Sequence, residues 1–154
     1  MYRAAKEISD FFEEHDIVFR VRETEDSSRI GTDVQAGYAV FCIWFISTDD
    51  SSDVAVRVPS FVRYKTDAEK KRLMRAVNRM NQKYRYVKFT MPANDQCINI
   101  EFDFPESTQN IGKCAGEIFR RIMQIADESY PEFMKALWSE ENFLGNAVFY
   151  EFKY

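Results

Sequence analysis

Few side chains of this 154-residue chain could do covalent or metal chemistry. His15 is the only histidine, and it lies in the segment EEHD at the end of a predicted helix. The helix dipole and the neighbouring acids favour a positive charge there, so we interpret His15 as a surface or capping residue. One histidine excludes a histidine metal cluster, and a Ser-His-Asp triad would have to use His15. The sequence has no GxSxG, GxGxxG, Walker, HExxH or CxxC pattern. We therefore predict a non-enzymatic protein with no catalytic residue, metal ion or cofactor.

Two acids and three cysteines are the other candidates for reactivity. Glu101 and Asp103 project from the same face of a predicted strand, but such pairs are usually ordinary polar-face residues rather than a glycosidase pair. Cys42, Cys97 and Cys114 are odd in number, far apart and set in apolar or alternating segments. Their pattern predicts buried thiols in a reducing compartment rather than a disulfide or a zinc site.

The strongest chemical feature of the sequence is a concentration of positive charge. The net charge is -4, yet residues 63–88 carry ten basic and only two acidic side chains. On the helix predicted here, a buried stripe runs through Leu73 and Met80, and a basic stripe lies at roughly 160° to 280° from Leu73. The basic stripe consists of Lys71, Arg72, Arg75, Arg79 and Lys83.

Three interpretations fit this basic stripe. It is a solvated face that meets the protein's own acids, a docking surface for an acidic partner, or a binding site for nucleic acid or another anionic ligand. Nucleic acid is the least favoured partner, because phosphate-binding proteins of this size are usually basic overall. We keep the stripe as a candidate partner-docking surface.

Two asparagines, Asn78 and Asn81, interrupt the same helix. Asparagine is an indifferent residue in a helix interior, because its amide competes for nearby backbone groups. On the helical wheel both lie on one border between the apolar and basic stripes, at about 140° and 80° from Leu73. We predict that they lock the helix to the sheet by hydrogen bonds to the backbone of a loop or strand end; the alternative is idle exposure.

The elements that must position these residues begin with an amphipathic helix over residues 3–15 and a strand over residues 17–22. The polar segment 23–37 is too long for a tight turn, and we predict a mobile hairpin loop there, the segment most expected to be disordered. After a turn, a further strand over residues 54–58 ends at Pro59, which cannot donate to a ladder.

Residues 38–46, YAVFCIWFI, are apolar at every position. This pattern predicts a central strand that is covered on both faces, or a strand at an interface. The candidate interface residues are Tyr38, Phe41, Ile43, Trp44 and Phe45.

The second half of the chain begins with a capping box at Thr66 and Glu69, which predicts the start of the basic helix. A hairpin around PAND follows, and then a long amphipathic helix over residues 111–128 that ends near Tyr130. Pro131 opens a further helical segment after a kink or short break, since proline is accepted in a first turn.

The element order α-β-β-β-α-β-β-α predicts an α+β fold with a five-stranded antiparallel sheet and helices packed on one face. Residues 1–140 form a single domain, and residues 141–154 are a C-terminal tail that adds an edge strand or is disordered. The chain lacks a signal-peptide core and an apolar run of the ~20 residues that a membrane span needs. We expect a cytoplasmic protein with no membrane contact.

Several of these residues resemble the pattern of a known family. Pro59 after the third strand, Asn78-x-x-Asn81, Lys88-Phe89 and Tyr130-Pro131 occur in an order similar to that of the YbjN-like family, over roughly residues 4–138. The resemblance implies a type III secretion chaperone-like fold and a small cytoplasmic bacterial regulator of sensory transduction. It also implies a surface that binds other proteins, and it supplies no catalytic residues.

The functional prediction is a non-enzymatic, protein-binding regulator or chaperone-like adaptor. Its protein partner is unidentified, and we expect a homodimer that uses the sheet around residues 38–46. The alternative is the binding of an anionic ligand or nucleic acid through the basic helix, residues 70–85.

Overall fold

Helices and an antiparallel sheet form an α+β fold in the computed structural model of the chain, which describes residues 1–139. This architecture confirms the predicted class. The elements are α1 (Arg3–Glu14), β1 (Arg20–Glu23), β2 (Ser28–Ala36), β3 (Ala39–Ser47), β4 (Val54–Arg63), α2 (Asp67–Lys83), β5 (Lys88–Thr90), β6 (Cys97–Phe104) and α3 (Ile111–Trp138). The strand order across the sheet is β1-β2-β3-β4-β6-β5. The predicted tail, 141–154, lies outside the described residues.

The predicted count of five strands is wrong, because the structure has a sixth strand where the sequence predicts a mobile loop. Most of segment 23–37 forms β2, which pairs with β3 along its whole length. Ile30 and Val34 face the core. Thr32 lies between them, and its buried hydroxyl donates a 2.9 Å hydrogen bond to the Val18 carbonyl. The alternation of a strand is therefore present, but hydroxyl side chains at inward positions conceal it.

The first strand is also placed differently from the prediction over residues 17–22. β1 begins at Arg20, and all four of its residues are exposed. It lies at one edge of the sheet and pairs with β2 alone among the described strands.

β4 continues past Pro59, so the predicted end of this strand is wrong. Its register against β6 shifts between Val58 and Val62. Within this irregularity Ser60 has a positive φ of 53°, and its N–H donates to Asn99 Oδ1 at 2.8 Å. The ladder is already interrupted here, so the missing N–H of the proline removes no ladder hydrogen bond.

α3 is one helix of 28 residues, so the predicted end near Tyr130 and the separate segment opened by Pro131 are wrong. A proline inside a helix leaves the carbonyl four residues earlier without its donor, here the carbonyl of Asp127. Pro131 and Asp127 are both exposed residues of the helix. The buried stripe continues across the proline from Ala126 to Phe133, and this packing keeps the helix continuous.

The three helices cover the same face of the sheet. Inward side chains of β3, such as Ile43 and Phe45, are fully buried beneath them. α1 and α3 approach closely because Phe11 packs on Gly112 and Gly116, where any side chain would collide with it. The hydrophobic core therefore lies between the sheet and one layer of helices.

Candidate functional site

The other face of the sheet is left uncovered by the helices of residues 1–139. Antiparallel pairing aligns one residue from each strand in a single row across it. In strand order, this row is Arg20, Gly31, Trp44, Arg57, Glu101 and Lys88. We call this row, together with the neighbouring outward residues Arg22, Arg29, Asp33, Val40, Cys42, Ile46 and Asp103, the open face.

Trp44 lies near the centre of the open face. Its indole ring lies over Gly31, where a Cβ would fall within 3 Å of the ring atoms. Arg20 and Arg22 reach over the same ring from β1, and their guanidinium carbons lie 4.9 and 5.0 Å from its centroid. These distances are in the range of cation–π attraction. The ring is therefore held between the sheet and two cations, and it remains partly exposed.

Arg20 has two further partners on this face. Its guanidinium forms an ion pair with Asp33, and Nη2 lies 3.4 Å from Cys42 Sγ. The hydrogen bond from Arg20 lowers the pKa of the Asp33 carboxyl below its usual value. Burial raises the pKa of the Cys42 thiol, an effect that the positive charge of Arg20 opposes only in part. Cys42 is therefore protonated at neutral pH and is a poor nucleophile.

The two acids singled out in the sequence pair with cations of the sheet. Arg57 Nη1 donates to Asp103 Oδ1 at 2.7 Å, and Arg57 Nε lies 3.8 Å from Glu101 Oε1. Glu101 also accepts a 2.8 Å hydrogen bond from Thr90 and lies 4.0 Å from Lys88 Nζ. Glu101 and Asp103 are thus part of an ion-pair network on a polar sheet face.

The predicted interface strand contributes only part of its side chains to the exterior. Phe41, Ile43 and Phe45 face the helices and are buried in the core, which corrects their placement at an interface. Trp44 lies on the open face, and Tyr38, in the turn between β2 and β3, is 92% exposed. The division arises because consecutive strand residues point to opposite faces.

The outward side of β3 is nevertheless apolar. Val40 is 76% exposed, and Cys42, Trp44 and Ile46 are partly exposed. One side of the strand forms the core and the other forms the centre of the open face. This explains why residues 38–46 are apolar throughout, although the described helices cover only one side.

Arg20, Arg22 and Gly31 were not predicted as functional residues from the sequence. The two arginines are two residues apart in VFRVR, a spacing that places both on one face of a strand. This spacing indicates a strand face with two positive charges, but it does not show which residue of another strand they contact. The contact with Trp44 depends on the pairing of β1 with β2 and of β2 with β3, and β2 was the unpredicted strand.

The two asparagines of α2 have different surroundings. Asn81 Nδ2 donates to the carbonyl of Phe89 at 3.0 Å, and the N–H of Phe89 donates to Asn81 Oδ1 at 2.7 Å. Both bonds join α2 to β5. Asn78 is exposed, and its side chain makes no hydrogen bond to another residue of the range 1–139. The geometry required for a lock between helix and sheet is therefore present at Asn81 alone.

The basic stripe of α2 is partly engaged within the protein. Arg72 donates from Nε to the carbonyl of Ala136 at 2.9 Å and from Nη2 to the carbonyl of Leu137 at 2.8 Å. It therefore bonds the last carbonyls of α3. Arg75 also has a partner. The other members of the stripe, Lys71, Arg79 and Lys83, are exposed.

Comparison with known protein families decides the family. The model of the YbjN family, described as "Putative bacterial sensory transduction regulator", matches residues 4–133. The chain belongs to the YbjN family. This match confirms the resemblance read from Pro59, the two asparagines, Lys88-Phe89 and Tyr130-Pro131.

No curated protein and no solved structure matches this YbjN-family chain. Its described helices include none that is long and apolar enough to cross a membrane. Within residues 1–139, no three side chains of histidine, cysteine, aspartate or glutamate are grouped so that they could hold a metal ion.

Proposed function

We propose that this YbjN-family protein is a non-enzymatic, cytoplasmic regulator that acts by binding another protein through the open face. Its partner presents an acidic segment with an apolar side chain that contacts Trp44. The family description supports the regulatory role, and the chaperone-like adaptor predicted from the sequence is one form that it takes.

The observation that carries this proposal is the partly exposed Trp44 between Arg20 and Arg22. Tryptophan and arginine are the residues most enriched at the energetic centres of protein interfaces. Here both are positioned in advance, because Gly31 seats the indole ring and Asp33 fixes Arg20. Binding of a partner therefore costs little side-chain entropy in Trp44 and Arg20.

The charge of this half of the open face selects the partner. Arg20, Arg22 and Arg29 lie on the two strands nearest the β1 edge, with Asp33 as the one acid among the open-face residues of those strands. A net positive potential steers acidic surfaces toward the site and disfavours basic ones. On the opposite half, Arg57 and Lys88 balance Glu101 and Asp103, so the charges of these four residues sum to zero.

The test is binding to an array of peptides in which acidic residues flank a single phenylalanine or leucine. Trp44 fluorescence in a Trp138→Phe background reports occupancy, since the exposed Trp138 is the other tryptophan. We expect acidic peptides to bind at low salt and Arg22→Glu to abolish binding. Lys113→Glu, an equal charge reversal on an exposed position of α3, should retain it. Equal binding of lysine-substituted peptides, or no binding at low salt, refutes the proposal.

A second copy of the chain is the competing occupant of the open face. Light scattering across a dilution series detects such a dimer, because the average molecular mass falls as the dimer dissociates on dilution. If Arg22→Glu, but not Lys113→Glu, makes the protein monomeric at every concentration, the open face is a homodimer interface and the acidic partner is wrong.

The basic helix provides the alternative from a different class. Lys71, Arg79 and Lys83 remain exposed for an anionic ligand. Salt-dependent binding of an oligonucleotide that Arg79→Glu abolishes and Arg22→Glu leaves intact would assign the function to α2 instead.

A further inference from the structure

An apolar cavity lies on the helix side of the sheet, away from the open face. It is bounded by the end of β6, the loop that follows it and the first turns of α3. Its volume is about 210 Å³, below the ~300–1,000 Å³ of sites for drug-sized ligands. The apolar part of its wall is formed by Phe102, Phe104, Pro105 and Ile118. This volume suits a molecule with a single ring or a short branched chain.

Tyr86 lines the cavity from a strained turn. Its φ is 77°, in the region that favours glycine, and the N–H of Val87 donates to the carbonyl of Arg85 at 3.0 Å, which closes a three-residue turn around Tyr86. Such turns are rare and strained for a residue other than glycine. The turn holds the ring against Phe102, with 6.5 Å between the ring centroids.

Two guanidinium groups flank the Tyr86 ring at the edge of the cavity. Their central carbons lie 4.4 Å from the ring centroid for Arg121 and 5.9 Å for Arg85. Arg121 Nη2 also lies 3.2 Å from Glu117 Oε2, and its side chain stays 43% exposed. The apolar cavity thus has cations at its border.

A second, polar cavity of about 370 Å³ shares Tyr86 and Arg121 with the first. Its charged wall consists of Lys83, Arg85, Arg121 and Glu128. The Glu128 carboxylate already accepts a 3.0 Å hydrogen bond from the Tyr84 hydroxyl and a 3.2 Å bond from Gln124. Together with Glu117, which lines the apolar cavity, the two cavities therefore present three cations and two carboxylates.

We propose that the two cavities form one binding site for a small organic carboxylate with an apolar body. The body occupies the apolar cavity against Phe102 and Ile118, and the carboxylate lies beyond Tyr86 between Arg121, Arg85 and Lys83. Arginine suits this role because its planar group can donate two parallel hydrogen bonds to a carboxylate. The regulator therefore binds this ligand at a site that is separate from its protein-docking face.

Titration with benzoate tests this site, with benzamide as the neutral analogue of the same shape. The readouts are the NMR signals of the Ile118 methyl groups and calorimetry. We expect saturable shifts with benzoate and a dissociation constant about tenfold or more higher in Arg121→Gln, since a charged hydrogen bond is lost. Arg120→Gln, the adjacent exposed arginine, is the matched control and should bind as the wild type.

Two further variants keep the test decisive if Arg121→Gln perturbs the fold. Arg121→Lys retains the charge and should recover part of the affinity, whereas Cys114→Phe should fill the apolar cavity and abolish binding. The proposal is overturned if benzoate gives no saturable shift, if benzamide binds as tightly as benzoate, or if Arg120→Gln weakens binding as much as Arg121→Gln.

Discussion

At the scale of single residues, Asn81 makes the most direct link between helix and sheet. Both ends of its amide bond to the main chain of Phe89, whose side chain is buried. Asn81→Ala removes the partners of both the N–H and the carbonyl of Phe89. We expect the free energy of unfolding to fall by about 1–3 kcal/mol. Urea denaturation measures the change. Asn78→Ala, an exposed control in the same helix, should stay within about 0.5 kcal/mol of the wild type; equal losses would contradict the assignment.

Tyr84 gives the fold a pH dependence at the alkaline end. Burial raises the pKa of its hydroxyl to about 12, with a further contribution from the hydrogen bond to Glu128. The folded state therefore holds this proton after the unfolded chain has lost it, so stability is complete below the usual pKa near 10 and falls as pH rises toward 12. Tyr84→Phe should remove this part of the alkaline loss in denaturation curves measured at several pH values. An unchanged slope in the variant would exclude the effect.

At this scale, the sequence predicts contacts between residues that are close along the chain, but not contacts between distant ones. The helical wheel places Asn81 on the border that faces β5, because both lie within one local stretch. It places Asn78 there as well, although at about 140° that residue is too far round the helix to reach the strand. Arg20 and Trp44 meet only through two strand pairings, and no local period encodes those.

At the scale of elements, Arg72 ties α2 to the end of α3. Its two hydrogen bonds satisfy carbonyls in the last turn of α3, and the last carbonyls of any helix lack an intrahelical donor. Because the donor is charged, Arg72→Ala should destabilise the protein by about 1.5–3 kcal/mol and speed hydrogen exchange in the last turns of α3. Lys71→Ala removes an adjacent exposed charge and should do neither. Slow exchange at the end of α3 in Arg72→Ala would argue that packing alone holds it.

Helices and strands were predictable where the sequence shows a clear apolar period or a capping motif. The capping box at Thr66 and Glu69 marks the start of α2, and both of its reciprocal hydrogen bonds are formed. β2 was missed because buried hydroxyls occupy inward positions, and their partners are distant in sequence. The continuity of α3 was missed because packing across Pro131 outweighs the lost hydrogen bond.

At the scale of the whole molecule, one layer of helices leaves a sheet with two unlike faces. The inward face is mostly apolar and packs against the helices except at the cavity beside the end of β6, whereas the open face combines an apolar centre on β3 with arginines on the edge strand β1. Protein docking and ligand binding are therefore assigned to opposite sides of the same sheet. β6 connects them, since Phe102 faces the cavity while Glu101 and Asp103 belong to the open face.

This arrangement predicts an uneven pattern of local stability. The four residues of β1 are exposed and pair with one neighbouring strand, whereas β4 lies between β3 and β6 and buries Val54, Val56 and Val58. Amides of β1 should therefore exchange with solvent orders of magnitude faster than those of β4, because local opening of an edge strand disrupts few contacts. Hydrogen exchange followed by mass spectrometry measures both segments in one experiment.

The same measurement connects stability to the proposed function. Since β1 carries Arg20 and Arg22, an acidic peptide on the open face should slow exchange in β1 more than in any other described strand, by linkage between binding and opening. Arg22→Glu should abolish this protection, and Lys113→Glu should preserve it. Benzoate, which we assign to the opposite side, should instead protect the first turns of α3. Protection of β1 that persists in Arg22→Glu would place the partner elsewhere on the molecule.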